Sequence, residues 1–252
     1  MRIVVISDKD NTKRREHIIN EFNRIHVDFD FFNAIMANKM DKKELESKAL
    51  MNTFLSPGEI GCALSHCAIY ENFLTSDDKS LLICEDDICF TNDFNMDVVK
   101  QIADFIESSD EPRLVVLQKS IYHHKKIKDI NETVSIYSAR NLFCTYGYIL
   151  NRAAAKNIKD IQTPVKFEID AFKFYYWLNA CKLYCLNKDL ITILGDEVVE
   201  STIQDRWVSN RKQLKDNAYK TVYKSLSIKN KIRSNWRRLQ KALYKPFENL
   251  DY

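Results

Sequence analysis

Glycine and proline are scarce in this chain, with four of each among 252 residues. A phosphate loop of the Gly-x-x-x-x-Gly-Lys type needs clustered glycines, so this scarcity excludes that class of nucleotide site. The seven cysteines form no Cys-x-x-Cys pair, which argues against a zinc ribbon or a dithiol redox centre. No window offers about 18 uninterrupted apolar residues, and we therefore predict no transmembrane helix.

The rest of the composition is that of an ordinary soluble globular protein, with 45% hydrophobic residues, 29% charged residues and a net charge of +3. The length allows one domain, or one domain with an appendage. The apolar stretch at the start of the chain is too short for a signal peptide and favours a strand. Most cysteines lie in or beside apolar runs, as buried thiols do, so a reducing cytoplasm fits best.

Three consecutive acids, Glu85-Asp86-Asp87, directly follow the apolar run 80–84. This run predicts a short buried strand, and open α/β sheets bind ligands at the carboxyl ends of their strands. Carboxylate oxygens at that edge are the ligands that Mg²⁺ and Mn²⁺ prefer, and such ions bridge carboxylates to phosphates. The acids thus indicate a nucleotide diphosphate site, although an acidic turn that caps the next segment is the alternative.

Strands and helices alternate along the predicted chain, which favours an α/β fold with a mostly parallel sheet. A capping box of Ser56 and Glu59, with Pro57 at the first helical position, marks one helix start. The predicted strands are 2–7, 28–32, 80–84, 114–117 and 143–150. The predicted helices are 12–25, one from Ser56, and an Ala-rich one after Asn151. The charged segment 123–132 is predicted to be a mobile loop.

The run 57–66, Pro-Gly-Glu-Ile-Gly-Cys-Ala-Leu-Ser-His, followed by a strand ending in Glu-Asp-Asp, resembles the family 25 glycosyltransferases of lipooligosaccharide and lipopolysaccharide biosynthesis. Further segments at 4–7, 145–150 and 169–170 also resemble that family, so the likeness is colinear over about 1–205. The resemblance implies an A-type glycosyltransferase fold, that is, one Rossmann-like, mostly parallel sheet flanked by helices. It also implies a nucleotide-sugar donor, most often a UDP-sugar.

The same resemblance implies roles for the acids. Asp87 is the first choice as ligand of a divalent cation, Mn²⁺ or Mg²⁺, and Glu85 is the second, while Asp86 could touch ribose or sugar hydroxyls. Asp170 is implied as the general base that deprotonates the acceptor, with Glu168 as a close competitor. The alternative for Asp170 is that it caps the helix that follows it.

A nucleotide pocket is implied as well, with residues drawn from several segments: Ser7, Arg14, Arg15, Asn33, Ala34, His66, Glu85, Asp86 and Gly147. Arginine binds phosphate bidentately, but only one of the paired arginines is expected to point inward. His66 could bond the donor or be a structural histidine. Gly147 would permit close approach of the donor or a strand bulge. Ser201-Thr202-Ile203 resembles a late segment of the family weakly.

The C-terminal part, 206–252, is expected to be a basic helical extension of a 1–205 transferase domain. Between positions 206 and 245 there are thirteen Lys or Arg and one acid, a net charge of +12. Apolar residues recur at helical spacing in this segment: Ile228, Ile232, Trp236, Leu239, Leu243 and Phe247. Such a helix indicates attachment to an anionic membrane surface. The alternatives are packing on the domain or on a second subunit in a homodimer, and a nucleic-acid patch, which ranks last for want of a motif.

These features together predict a cytoplasmic, inverting glycosyltransferase that lies peripherally on the inner membrane. It would transfer galactose, or next glucose, from a UDP-sugar to the core oligosaccharide of a lipooligosaccharide. A metal-dependent nucleotidyl or phosphoryl transferase is a second class, but it should show a Gly-rich phosphate loop. A non-catalytic lipid- or partner-binding adaptor on a transferase fold is a third.

Overall fold

The computed structural model of the chain describes residues 1–121, 123–194 and 210–243. Its strands are β1 (Arg2–Ser7), β2 (Asp30–Asn33), β3 (Ser80–Glu85), β4 (Ile88–Phe90), β5 (Arg113–Lys119), β6 (His123–Asp129), β7 (Ser135–Ala139), β8 (Gly147–Asn151), β9 (Lys182–Leu186) and β10 (Ile191–Ile193). Its helices are α1 (Thr12–Arg24), α2 (Lys42–Lys48), α3 (Pro57–Thr75), α4 (Met96–Glu107), α5 (Arg152–Ile161), α6 (Phe172–Trp177), α7 (Arg211–Ser225) and α8 (Ile228–Leu243), with a 3-10 turn at Ala37–Lys39.

Eight strands form one sheet in the order β2-β1-β3-β8-β5-β9-β7-β6, while β4 and β10 pair separately. Strand β1 is parallel to β2 and β3, and β5 is parallel to β9. Only β8 and β7 run against their neighbours, so six of the eight strands share one direction. The predicted α/β architecture, with a mostly parallel Rossmann-like sheet, flanking helices and C-terminal helices, is confirmed.

Two apolar cores cover the two faces of the sheet, because side chains alternate along each strand. Along β3, Leu81 and Ile83 belong to the core beneath α3 and α5, whereas Leu82 and Cys84 belong to the core beneath α1 and α4. All four side chains are at most 1% exposed. Burial on both faces explains why this strand is a continuous apolar run in the sequence.

The predicted start of α3 is confirmed in detail. The Ser56 hydroxyl accepts a hydrogen bond from the Glu59 backbone N–H at 3.3 Å, and the Glu59 carboxylate accepts one from the Ser56 N–H at 2.9 Å. Helix α1 starts in a related way, since the Asn11 side chain accepts from the Arg14 N–H at 3.2 Å. These caps satisfy backbone donors that have no partner within the helix.

Two predicted elements are wrong in the N-terminal 205 residues. The segment expected to be a mobile loop contains β6, which lies at the edge of the sheet and pairs with β7. Its many lysines protect an edge strand from further pairing, and they also hide the alternation that marks a strand. The strand expected over 143–150 begins only at Gly147. The residues before it form an irregular segment that lines a cleft, with Cys144 at φ 61°.

The C-terminal helices rest on the domain, but not through the apolar stripe of α8. Helix α7 buries Ala218, Tyr219 and Val222 in the core beneath α3. Helix α8 is held by Ser234, which is fully buried and bonded to the Tyr219 hydroxyl at 2.9 Å, and by Arg237, which donates to the backbone of α6.

The described members of the α8 apolar stripe therefore face solvent. They are 78%, 67%, 57% and 50% exposed, in the order Ile228, Ile232, Trp236 and Leu239. The side chain of Leu243, and Phe247 as a whole, lie outside the described residues, as does the segment 201–203. None of the described helices is long and apolar enough to span a bilayer.

Candidate active site

The three acids lie where the carboxyl ends of three neighbouring parallel strands meet. Strand β3 ends at Glu85, which is in register with Ile6 of β1, and Ser7 of β1 is in register with Asn33 of β2. The chain then turns through Asp86 and Asp87 into β4. This placement follows from the parallel sheet, which brings residues from distant segments to one edge.

Arg14 of α1 is the cation that contacts this acidic turn in the described part of the chain. Its guanidinium contacts an Asp86 oxygen at 2.6 Å and an Asp87 oxygen at 3.3 Å. The side chains of Arg14 and Asp86 are only 11% and 10% exposed. Water screens the contact little at such burial, so one cation faces two largely desolvated carboxylates.

Burial and neighbouring negative charge raise the pKa values of both Asp87 and Glu85. Burial raises the pKa of the Asp87 carboxyl above its usual range, although Arg14 opposes the shift. Burial, followed by the charge of Asp87, raises the pKa of Glu85 to about 7. One Glu85 oxygen accepts a hydrogen bond from the Thr145 hydroxyl at 2.5 Å. The carboxylates therefore carry more negative charge than their described neighbours neutralise.

The donor set at the turn fits a hard divalent cation. Atom Oδ1 of Asp87 is buried and has no hydrogen-bond partner among the residues that the structure describes. Asp87 and Glu85 together offer only oxygen ligands, which is the chemistry that Mn²⁺ and Mg²⁺ require. A cation there would satisfy the orphaned oxygen and stabilise the charged form of both carboxylates, whose pKa values are raised mainly by burial.

Two adjoining pockets open at this edge. The larger, of about 510 Å³, contains Asp87 and Asp170 and is called here the Asp170 pocket. The other, of about 380 Å³, contains Ser7 and is called here the Ser7 pocket. Cys62 and Glu85 line both pockets, so the acidic turn lies at their junction. A bisubstrate reaction needs such a junction, with the reacting atoms between the two binding spaces.

Asp170 lies in the Asp170 pocket with Glu85 and Asp87. Helix α6 begins after Ala171, so Asp170 precedes the capping position by one residue. The capping role considered for Asp170 is therefore not the one that the structure shows. The charge of Asp170 also contributes to the raised pKa of Glu85, which places the two carboxylates within electrostatic reach of each other.

Glu168, the competitor of Asp170, is engaged elsewhere. Its Oε1 atom accepts from Arg211 at 2.7 Å and from Lys215 at 2.8 Å, both on α7. Burial alone would raise the pKa of Glu168, but the charges of Lys215 and Arg211 hold it below its usual range. A carboxylate held ionised by two cations is a weak proton acceptor. These contacts argue against Glu168 as the general base, and Asp170 stays the predicted one.

The residues implied for the nucleotide pocket separate into two groups. Those that line the Ser7 pocket are Ser7, Arg14, Ala34, His66, Glu85 and Asp86. Arg15 and Asn33 are absent from the described lining and bond to each other through their side chains, with Arg15 stacked 4.5 Å from the Phe31 ring. Of the paired arginines, only Arg14 points into the cleft.

Gly147 also lies outside both described linings and has a packing role. A Cβ atom at this position would lie 2.7 Å from Cδ1 of Ile191, closer than carbon atoms approach in proteins. The Ile191 side chain of β10 thus occupies the space beside Gly147. The absence of a side chain at Gly147 lets the two sheets pack against each other. The sequence had instead suggested that Gly147 permits close approach of the donor or forms a strand bulge.

His66 is fully buried. Its Nδ1 atom lies 2.6 Å from the Tyr148 hydroxyl, which in turn lies 2.5 Å from the Tyr70 hydroxyl. Burial lowers the pKa of His66 to about 3, so the imidazole is neutral. Its Nε2 atom is buried and has no hydrogen-bond partner in the described part of the chain.

Several residues that shape the site received no individual role from the sequence. The Ser65 hydroxyl accepts from the Ile35 N–H at 2.8 Å, and Gly61 lets that segment approach because a Cβ there would lie 2.4 Å from the Ile35 carbonyl oxygen. Ser65 and Gly61 both lie inside the motif at 57–66, and this motif was the only feature of the sequence that indicated them. Arg211 gave no signal, since its partner Glu59 is 152 positions away.

Comparison with known proteins shows to which protein family the chain belongs. The family model described as glycosyltransferase family 25 (LPS biosynthesis protein) matches residues 1–173. The chain belongs to this family. The family match ends before α7 and α8, so it covers the acidic turn, Asp170 and the whole described lining of the Ser7 pocket.

Among curated relatives, the lipooligosaccharide biosynthesis protein lic2B of Haemophilus influenzae is 26% identical over 61% of this chain and 60% of its own length. A glycosyltransferase 25 family member of Aedes aegypti is 25% identical over 62% of this chain and 27% of its own. Procollagen galactosyltransferase 2 of Mus musculus is 25% identical over 41% of this chain and 17% of its own. The chain thus spans less than two thirds of the length of these relatives.

Proposed function

We propose that this protein is an inverting glycosyltransferase that moves a hexose from a UDP-sugar to the oligosaccharide of a lipooligosaccharide. The observation that carries the proposal is that Asp87, Glu85 and Asp170 line one pocket and that Glu85 also lines the adjoining Ser7 pocket. Galactose is the preferred sugar, because one relative is named a galactosyltransferase, and glucose is the next choice. The acceptor class is supported by the name of the lic2B relative.

The donor would occupy the Ser7 pocket, with its diphosphate toward Arg14 and the acidic turn. Arg14 would exchange its contacts with Asp86 and Asp87 for the phosphate oxygens, with which guanidinium forms bidentate bonds. Asp87 and Glu85 would hold Mn²⁺ or Mg²⁺, which when bound would neutralise the leaving diphosphate as a Lewis acid. Asp86 would remain near the ribose or sugar hydroxyls.

The acceptor would enter the Asp170 pocket. Asp170 would remove the proton from the attacking hydroxyl, and the hydroxyl oxygen would approach the anomeric carbon opposite the leaving diphosphate. One displacement of this kind inverts the configuration at that carbon. Glu168 would act only indirectly, by fixing α7 against the pocket through Arg211 and Lys215.

The experiment is a panel of UDP- and GDP-sugars incubated with the purified protein and Mn²⁺, scored for slow donor hydrolysis. UDP-galactose should be hydrolysed fastest, and EDTA should stop the reaction. UDP binding and turnover that are equal in Mn²⁺ and in EDTA would contradict the assignment of Asp87 and Glu85. Faster hydrolysis of a GDP-sugar would contradict the donor.

Helix α8 would hold the enzyme on an anionic membrane surface, where a lipid-linked acceptor resides. Its apolar stripe stays exposed although the opposite face of the helix is anchored by Ser234 and Arg237. Basic residues flank the stripe within a segment of net charge +12. Apolar burial and attraction to anionic lipid, roughly 1 kcal/mol per basic residue, would act together.

A double substitution, Ile232→Ser with Trp236→Ser, tests this attachment without removing the helix. Both side chains are exposed, so the melting temperature should change little while co-sedimentation with anionic vesicles is lost. Ile121→Ser, at a residue that is 56% exposed elsewhere, is the matched control and should keep sedimenting. Wild-type protein that never sediments with such vesicles at low salt would end the idea.

A further inference from the structure

A second set of potential metal ligands lies beside the acidic turn. Cys62, His66 and Glu85 each offer one ligand atom, and these atoms all lie within 4.8 Å of one another. Unlike the Asp87 and Glu85 pair, this set combines sulfur, nitrogen and oxygen. We propose that Cys62, His66 and Glu85 form a site for Zn²⁺ or a similar borderline transition metal, beyond the cation proposed for the donor.

The positions of the ligands are fixed by regular structure. Cys62 and His66 are four residues apart on α3, so their side chains project from the same face of the helix, one turn from each other. Glu85 is the last residue of β3. Sites built on helices and strands are better ordered than sites on loops. This set is not evident from the sequence, because one cysteine and one histidine a helical turn apart do not form a Cys-x-x-Cys motif.

His66 supplies an observation independent of the cluster. Its Nε2 atom is fully buried and has no hydrogen-bond partner in the described residues, which is costly for a polar atom. Its Nδ1 atom is engaged by the Tyr148 hydroxyl at 2.6 Å, and Tyr148 is linked to Tyr70. Histidine ligands usually donate their second N–H to such an outer partner, which fixes the tautomer that leaves Nε2 available.

The mixed ligand set selects the metal. Zinc binds thiolate at about 2.3 Å, imidazole nitrogen at about 2.0–2.1 Å and carboxylate oxygen at about 2.0–2.2 Å. Binding would draw the three ligand atoms together by roughly an ångström, a movement within the reach of side-chain rotation. Thiolate and imidazole favour zinc over Mg²⁺ and Mn²⁺, which prefer oxygen.

Three protein ligands leave the fourth tetrahedral position of zinc open toward the cleft, because Cys62 and Glu85 line both pockets. Since Glu85 belongs to this site and to the proposed Mn²⁺ site, the two metals should compete. Zinc would then inhibit sugar transfer, and this consequence alone rests on the proposed function. Zinc binding itself does not depend on that function and is measured separately.

The test is a titration of the reduced, full-length protein with Co²⁺, a spectroscopic substitute for zinc. A thiolate-to-cobalt charge-transfer band should appear with one equivalent and disappear when Zn²⁺ is added. Cys62→Ser should abolish the band while leaving the melting curve unchanged, because Cys62 is only partly buried. Cys89→Ser is the matched control, since Cys89 lies 3.9 Å from His17 and is the competing Cys-His pair.

Two further variants decide which carboxylates and partners belong to the site. Asp87→Asn should keep the band although it removes the proposed Mn²⁺ ligand. Tyr148→Phe should weaken zinc binding about 10- to 100-fold, the usual loss when an outer partner of a histidine ligand is removed. A band that survives in Cys62→Ser, or that disappears in Cys89→Ser or Asp87→Asn, would overturn the proposal.

Discussion

Two pairs of carboxylates face the Asp170 pocket, and they differ in how their charge is compensated. Glu59 and Glu168 are held by Arg211 and Lys215 of α7 at 2.6–2.8 Å. The result is a structural ion-pair cluster, which joins α7 to α3 and to the segment before α6. Each of these acids has a cation in direct contact, which offsets the cost of removing its charge from water.

Glu85 and Asp87 form the opposite case. Within the described residues, one cation, Arg14, contacts this turn and is shared between Asp86 and Asp87. The pKa values of Glu85 and Asp87 are raised, whereas that of Glu168 is lowered. The comparison teaches that burial alone does not identify a functional acid. Among the described residues, the acids whose charge is least compensated are the ones that a bound cation would complete.

The largest expected effect comes from Asp87→Asn. It should lower sugar transfer by roughly 10³-fold or more, because the substitution removes a proposed ligand of the cation that supports the leaving group. Stability should not fall, since one of two repelling carboxylates is neutralised. Transfer assays and thermal unfolding measure the two effects. Asp93→Asn, at an exposed acid paired with Lys188, is the control and should match the wild type.

The next effect separates Asp170 from Glu168. Asp170→Asn should lower turnover by roughly 10²- to 10⁴-fold at unchanged donor binding, because the general base is lost. Glu168→Gln should instead lower the free energy of unfolding by about 1 to 3 kcal/mol, because Lys215 loses its carboxylate partner and Arg211 loses one of two. Turnover and denaturant unfolding of both variants provide the test. A stable but inactive Glu168→Gln, beside an active Asp170→Asn, would reverse the assignment.

Arg14→Ala should raise the KM for the donor by about 10- to 100-fold, the equivalent of roughly 1.5–3 kcal/mol for a charge-assisted bond. Arg15→Ala is the matched control, because Arg15 bonds to Asn33 outside the described lining of the Ser7 pocket. Initial rates at varied donor concentration measure the difference. Equal KM values for the two variants would show that Arg14 does not bind the donor and only pairs structurally with Asp86.

The smallest effect is on stability as a function of pH. The pKa of Glu85 is raised to about 7 from a usual value near 4.5, so the folded state binds the proton more tightly than the unfolded state. Glu85 therefore lowers stability as pH rises from about 4.5 to 7, by about 1 to 3 kcal/mol in metal-free protein. Glu85→Gln should remove that loss, and Mn²⁺ should reduce it in the wild type.

Glu168 should show the opposite sign. Its pKa is lowered in the folded state, so its contribution is present above the usual carboxyl pKa and is lost as the pH falls through the lowered value. Glu168→Gln should therefore cost most at neutral pH and least in acid. Melting temperatures measured in EDTA over this range compare the two acids directly. Identical pH profiles for Glu85→Gln and Glu168→Gln would erase the distinction.

Local sequence was sufficient for the elements whose signals lie within a few residues. The capping box at Ser56 and Glu59 and the apolar run that ends at Glu85 are of this kind, and both are found as predicted. Strand β6 was missed because its stability comes from pairing with β7, while its own residues are mostly charged. Edge strands of this composition carry little local signal.

The sequence by itself determined that carboxylates would end a buried strand, because an apolar run is buried in the sheet and the acids that follow it must then lie at the end of the strand. Tertiary structure decided which neighbours those acids have. Arg14 and Arg15 differ by one position, but the rotation of α1 turns only Arg14 toward the acids. Glu168 is neutralised by α7, which follows more than forty positions later. Such contacts depend on helix rotation and on long-range packing, which short-range periodicity does not encode.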